Sequence, residues 1–476
     1  MIFLIYLLLS FGYLFSFNNN FHSLDNNFQH YYWIEYELFK KDLNKVFIFH
    51  QPYATQDIQD IFKDENSRFD NEFSSDKEFN FFIKPGLSSN GSKVLPHPYF
   101  NISSYVNFDE SFLKIEAKLD KTLSEDLYFH GDKDEIFTGY INEAFLYTKL
   151  NELNIFAGRL SRNFGIINEY SLIFSNNPFP FDHYGFSLTG KKTKFSFYVS
   201  RLNNYNFSID SQGIVIPLDS TVTSKRFFSF QHIDFKIDKN IQLALSQSII
   251  YGGPNQTFEG LYLNPMNFFY ASQRNSKVQM NTLWQLLMGI KINDKSMFYI
   301  DFLIDDFIVN NDESDERDKY PDRLGLTLKY SSRDLFFDKT LTSLTFTSIS
   351  NDTYTSFRNY ENYFYELKGI GFPYNSFQSL KLLSVYFLDS IRLLNTSITL
   401  SQKGDNNIFN IFENNKTEFP FSPILYSLDS CISISTLFQK KIKFFYEFRY
   451  RFESNKKTLD NFETIINHKF EILYEI

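Results

Sequence analysis

The feature that most constrains this chain is a two-residue alternation that recurs over most of its length. In Ile442-Lys-Phe444-Phe-Tyr446-Glu-Phe448-Arg-Tyr450-Arg-Phe452 one face is apolar and aromatic, while the other carries Lys443, Phe445, Glu447, Arg449 and Arg451. Leu113-Lys-Ile115-Glu-Ala117-Lys-Leu119 alternates without error, and so does the final Phe470-Glu-Ile472-Leu-Tyr474-Glu-Ile476. Successive strand side chains point to opposite faces, so this period predicts strands with one apolar and one polar face. In a soluble sandwich the aromatic face is core. In a membrane barrel it meets lipid, and the charged face lines the lumen.

Connection lengths separate the two. Alternation marks about 16 strands between residues 109 and 476. Short connections at 150–152, 191–193, 238–240, 293–295, 334–338, 389–390 and 438–440 alternate with long ones at 120–138, 161–183, 203–226, 252–282, 309–322, 350–380, 401–423 and 453–464. Short turns on one rim and long loops on the other are the outer-membrane barrel arrangement. An even strand count puts both chain ends on the short-turn, periplasmic side. The expected fold is therefore all-β: an antiparallel transmembrane β-barrel of about 16–18 strands in the outer membrane, with lipid and the barrel-assembly machinery as partners.

The first 17 residues carry no charged side chain, and Ile2 to Ser10 form an apolar run too short to span a bilayer. We read 1–17 as a signal peptide. Aromatics at helical spacing (Tyr32, Trp33, Tyr36, Phe39) and a second set after Thr55 (Ile58, Ile61, Phe62) predict two short helices around Pro52. Residues 18–108 are expected to form a small periplasmic helical module with a connector over 66–107, and 109–476 the barrel. A net charge of −9 argues against nucleic acid, which needs a basic face. One cysteine, Cys431, excludes a disulfide scaffold and any Cys-rich metal site.

No cofactor, metal or catalytic set is expected. The eight histidines show no metal-ligand spacing. Asp182-His183 is half of a hydrolase dyad or a solvated loop pair. Asp305-Asp306 is a calcium pair with Asp301 or Asp312, or a strand-end charge pair. Arg159 and Arg162 flank a strand end. Together they can grip an acidic sugar, or Arg159 can pair with Glu143 in the lumen. Asn176 and Asn177 can bond sugar hydroxyls or form an Asn-Asn-Pro turn. Phe268, Phe269 and Tyr270 can stack on sugar rings or pack a loop into the barrel mouth. Trp284 reads as part of the lipid belt, and Cys431 as an inert buried thiol.

One block goes beyond architecture. Ile141-Asn-Glu-Ala-Phe-Leu-Tyr147 is followed by Ala157-Gly-Arg-Leu-Ser-Arg-Asn-Phe-Gly165 and Tyr170-Ser-Leu-Ile-Phe-Ser-Asn-Asn-Pro-Phe-Pro180. This resembles the central motif of the capsule-assembly (Wzi-type) outer-membrane protein family. Leu263-Asn-Pro265 before Tyr270, Ile304-Asp305-Asp306, and Gln51-Pro-Tyr53 with Asp57-Ile58 are further matches. The resemblance implies a lectin barrel with periplasmic helices that binds capsular or surface polysaccharide and assists its attachment or assembly. Candidate ligand residues are then Arg159, Arg162, Asn176, Asn177, Phe269 and Tyr270. Phe164 stands where the family often has Trp. The family barrel has 18 strands, so an extra hairpin is expected within 350–380 or near 99–107. The alternative is a general porin with a polar lumen.

Overall fold

The computed structural model describes residues 28–54, 79–91, 97–107, 110–124, 138–205, 223–275, 280–306, 322–389, 392–409, 419–438, 442–455 and 463–474, with a few positions between 126 and 133 and the pair 207–209/215–217. The expected signal peptide and the helix after Thr55 lie outside the described residues.

Eighteen strands form one closed antiparallel sheet. In chain order they are β1 (Phe79–Gly91), β2 (His97–Asn107), β3 (Ser111–Asp120), β4 (Gly139–Leu150), β5 (Leu153–Leu160), β6 (Phe181–Thr189), β7 (Thr193–Arg201), β8 (Ser224–Lys236), β9 (Ile241–Pro254), β10 (Met280–Asn293), β11 (Ser296–Asp306), β12 (Arg323–Arg333), β13 (Thr340–Ile349), β14 (Phe377–Phe387), β15 (Arg392–Gly404), β16 (Ile424–Phe438), β17 (Ile442–Ser454) and β18 (Glu463–Tyr474). Each pairs with the next, and β18 closes on β1 with Leu87 opposite Ile472. Closure leaves no edge, as the interior of a bilayer requires.

The sheet begins at Phe79, so the connector expected over 66–107 gives way to the hairpin β1–β2. Pro85, Gly86, Ser88, Ser89 and Asn90 hid β1, because such residues read as loop. Pro85 is tolerated where it stands, since the ladder to β18 starts one residue later at Gly86. Within 350–380 there is only a pairing of Phe364–Tyr365 with Lys368–Gly369, inside a loop.

The alternation has the expected polarity. Outward positions such as Leu245, Leu344, Leu380, Ile398 and Ile432 are exposed and apolar. In β17 the inward Phe445, Glu447, Arg449 and Arg451 line the lumen. A closed barrel with an apolar outer belt, short turns on one rim and long loops on the other is an outer-membrane protein. Among the described residues no helix is long and apolar enough to cross a membrane.

The helical N-terminus differs from expectation in its place. Helix α1 (Phe28–Leu38) and the segment to Tyr53 do not hang below the barrel. They sit inside its short-turn end. Ile34, Leu38, Phe39, Leu43, Ile48 and Phe49 are buried against lumen-facing Ala244, Leu287, Met297, Tyr299, Leu341 and Val385. Apolar inward side chains on β9 to β14 offer a surface that burial fills. Polar bonds fix the seat. Glu35 pairs with Lys329 at 2.9 Å, both wholly buried, and accepts from Ser331 Oγ (2.7 Å) and Asn168 Nδ2 (2.7 Å). Leu43 N–H donates to Lys239 O at 2.8 Å, in the turn after β8.

Two long loops, 161–180 and 350–376, fold in from the other rim. Phe164, Leu172, Ile173 and Phe174 from the first meet Tyr354, Tyr363, Phe364 and Ile370 from the second, against inward Phe156, Phe228, Phe230, Ile250, Leu283 and Leu303. The loops touch backbone to backbone at Gly371, where a Cβ would collide with the Leu172 carbonyl. One side of the lumen is thus filled and dry.

Candidate functional site

The expected ligand residues do not converge. Arg159 lies on the outward face of β5. It forms a two-toothed pair with Asp182 on β6, Nε to Oδ1 at 3.2 Å and Nη2 to Oδ2 at 2.8 Å. Glu143, its supposed lumen partner, faces inward and binds Lys114 at 2.5 Å. Arg162 points the other way, into the core. Its guanidinium lies 4.3 Å from the ring centres of both Phe156 and Tyr198. Its Nε donates to His183 Nε2 at 2.7 Å. His183 Nδ1 sits 2.9 Å from the Phe181 carbonyl and donates to it, which leaves Nε2 free to accept. β5 ends at Leu160, so the alternation that sets Arg159 outward does not carry to Arg162. Asp182 and His183 are neighbours in a strand and face opposite sides of the wall, which rules them out as a dyad.

Asn177 ties the two inward loops together, Nδ2 to Gly369 O at 2.8 Å. Phe269, in the short helix α2 (Phe269–Asn275), is wholly buried, but outside the barrel. Loop 255–275 folds back over the outer wall, where Phe269 and Tyr262 cover the outward Phe227, Ile249 and Tyr251. The loop also caps two outward glutamines: Gln231 Nε2 and Gln247 Nε2 both donate to Asn267 O, at 3.0 and 2.9 Å. Tyr270 and Phe268 stand edge-on to Trp284, at 6.0 and 4.8 Å between ring centres. These aromatics neither plug the mouth nor enter the lumen.

Asn176 alone of the six borders the large cavity of the lumen. That cavity, about 610 Å³, runs along the inward faces of β13 to β17 and has the size of a small-ligand site. Its floor is Tyr31 and Tyr32 of α1, with Asn395 Nδ2 bonded to Tyr32 Oη at 3.4 Å. Along the strands run small polar side chains, among them Asn395, Ser397, Thr399 and Ser401 on β15 and Ser427 and Ser433 on β16. Loop side chains Tyr170, Phe372 and Tyr374, with Phe377 at the start of β14, form an aromatic cluster with ring centres 5.3 to 6.3 Å apart. Rings with accessible faces beside rows of hydroxyls can stack on the C–H faces of sugars and bond their hydroxyls. The motif block positions this cluster. Asn163 and Gln51 exchange backbone bonds at 3.0 and 3.1 Å, and Asn163 Nδ2 holds the Glu169 carbonyl at 2.9 Å, next to Tyr170.

The cavity residues could have been found from the sequence. Asn395-x-Ser-x-Thr-x-Ser401 and Ser427-x-Asp-x-Cys-x-Ser433 are small polar side chains at every second position of predicted strands. Cys431 is buried and faces this cavity. Asp301 and Asp305 act as struts: Asp301 accepts from Leu172 N–H (3.1 Å) and Gln285 (2.7 Å), and Asp305 from Tyr354 N–H (2.6 Å). Among the described residues no cluster of three metal-ligating side chains occurs.

No protein-family model matches the chain, and no curated protein matches it in sequence. Solved structures do match in fold. Wzi of Escherichia coli, described as an outer membrane protein involved in group 1 capsule assembly and a carbohydrate-binding β-barrel, superposes with a TM-score of 0.67 at 11% identity, over 96% of this chain and 99% of that one. OprD of Pseudomonas aeruginosa gives 0.47 at 8% identity over 84% and 94%. A BenF-like porin of Pseudomonas fluorescens Pf-5 gives 0.48 at 11% over 84% and 98%.

Proposed function

We propose that this barrel is a lectin that holds a surface polysaccharide in the cavity between β13 and β17, and that it does no chemistry on it. The observation that carries the reading is the pairing of an aromatic cluster (Tyr170, Phe372, Tyr374, Phe377) with rows of small hydroxyl and amide side chains in one cavity. That is the combination a sugar chain needs. The match in fold to a carbohydrate-binding barrel agrees with it. Asn176 remains a proposed contact, because it borders the same space. Arg159, Arg162, Asn177 and Phe269 serve instead as wall, core and loop supports. The general-porin alternative needs a continuous lumen, whereas α1 and the two inward loops occupy much of it.

The test compares polysaccharide retained on cells, per folded barrel, between the natural protein and the double variant Tyr374→Ala with Phe372→Ala. Loss of most retention at unchanged barrel yield is the expected result. Unchanged retention per folded barrel removes the site. Large single-channel conductance of the natural protein in planar bilayers favours the porin.

A further inference from the structure

The charges in the cavity point to the class of glycan it takes, an inference that rests on the lectin reading. The sequence suggested an acidic sugar gripped by two arginines. Among the described residues the cavity has no such grip. Its lining, among the described residues, contains four carboxylates (Glu169, Asp429, Glu447, Glu453) and four cations (Lys381, Lys403, Arg449, Arg451), which sum to zero. All but Lys403 are engaged with one another. Lys381 holds Glu169 at 2.6 Å. Arg451 holds Asp429 at 2.9 Å and Glu453 at 3.2 Å. Arg449 lies 3.4 Å from Glu447 and 3.6 Å from Asp429. The remaining cation, Lys403, places its ammonium 4.5 Å over the ring of Tyr374.

We infer that the cavity selects a glycan without charge. An acidic chain entering it would have to break pairs already made in a half-buried setting, and each sugar carboxylate would face as many anions as cations. A neutral sugar meets no such obstacle. Its hydroxyls both donate and accept, which matches the Ser, Thr and Asn side chains of β15 and β16. Its C–H faces need only the aromatic rings. Lys403 over Tyr374 stiffens one of those rings, and its charge is balanced only across the cavity as a whole.

The experiment uses the full chain purified in detergent micelles and, as probe, surface polysaccharide extracted from cells that carry the protein. The polysaccharide is tested as extracted and after chemical reduction of its carboxyl groups to alcohols. Binding is followed by calorimetry at low and high salt. The inference expects both preparations to bind alike, with affinity changing less than about twofold between about 50 and 500 mM salt, since screening has little to act on. Binding lost on carboxyl reduction, or falling tenfold or more with salt, overturns the neutral class and leaves the lectin reading standing. No binding of either preparation to a folded barrel removes both. Tyr374→Ala should lower the affinity at least about tenfold at either salt concentration, because stacking is not screened.

Discussion

Two stretches of the lumen wall share one backbone pattern and have opposite fates. Along β8 to β11 the inward positions carry Phe228, Phe230, Ile250, Leu283, Leu287 and Leu303, all buried against loops or the N-terminal segment. Along β14 to β16 they carry Ser379, Asn395, Ser397, Thr399, Ser427 and Ser433, which border the cavity. The strands and their pairing are alike, so side chains make the difference. Burying a large apolar side chain is worth about 1.5–3 kcal/mol, and the apolar wall recruits three separate segments to do it. The small polar wall offers them a few polar bonds but little apolar surface to bury, and the cavity lies along it. The empty space of the cavity is a consequence of where the plug has reason to dock.

The largest effect expected is at the Glu35–Lys329 pair, which pins the plug to the dry wall. Lys329→Met strands a carboxylate among buried groups and should cost about 3–5 kcal/mol, read as release of residues 28–54 to protease and as a lower unfolding midpoint. The double variant Glu35→Leu with Lys329→Met should recover most of it, since replacing both charges by apolar groups removes the uncompensated one. No recovery would mean that Ser331 and Asn168, not the ion pair, determine the seat. Next, Phe164→Ala removes a ring packed against His50, Phe174, Tyr198 and Phe230 and should cost about 3–5 kcal/mol. Thr399→Ala on the wet wall should stay within about 0.5 kcal/mol. Equal costs at the two positions would break the contrast between the walls. On the membrane side, Tyr446→Arg should cost about 2–4 kcal/mol near the bilayer centre, while Glu447→Gln, one residue away and facing the cavity, should cost at most about 1 kcal/mol. Refolding into vesicles measures both.

The barrel was legible where one face of a strand met lipid and the other met water, as in β17. Where both faces are covered the strand was still bracketed by its connections, at 227–237 for β8, but its inner and outer faces could not be told apart. In β8, Phe227 lies under an outer loop while Phe228 and Phe230 lie under the two inward loops, so the alternation is lost. β1 was hidden by Pro85 and Gly86. The parity rule places Arg159 outward, but it stops with the strand, and Arg162 three residues later obeys the loop. That a loop would fold outward over Gln231 and Gln247 has a sequence trace only in those two polar residues at lipid-facing positions of β8 and β9. The motif block has a structural role in this chain: Gln51, Asn163, Phe164 and Ser171 form one bonded junction between plug and loop. It is a scaffold at one end of the cavity, and through Gln51, Asn163, Tyr170 and Asn176 it also forms part of the lining.

The smallest effect expected is a pH dependence confined to the dry side. His50 belongs to the plug, is wholly buried, and bonds Ser196 Oγ at 2.9 Å. Burial holds its pKa well below the usual 6.5, and the nearby cations Lys194 and Arg162 push it further down. His232 also faces it, with Asp234 beyond at 3.1 Å from that ring. A base with a depressed folded pKa binds fewer protons folded than unfolded. Stability is therefore full above about pH 6.5 and falls as the pH drops below it. Below pH 6.5 the plug should lose stability, seen as earlier protease release of residues 28–54. His50→Gln keeps a donor and an acceptor without the titration, and should flatten the profile over that range. A profile that is unchanged in His50→Gln would assign the acid sensitivity to another group of the dry wall.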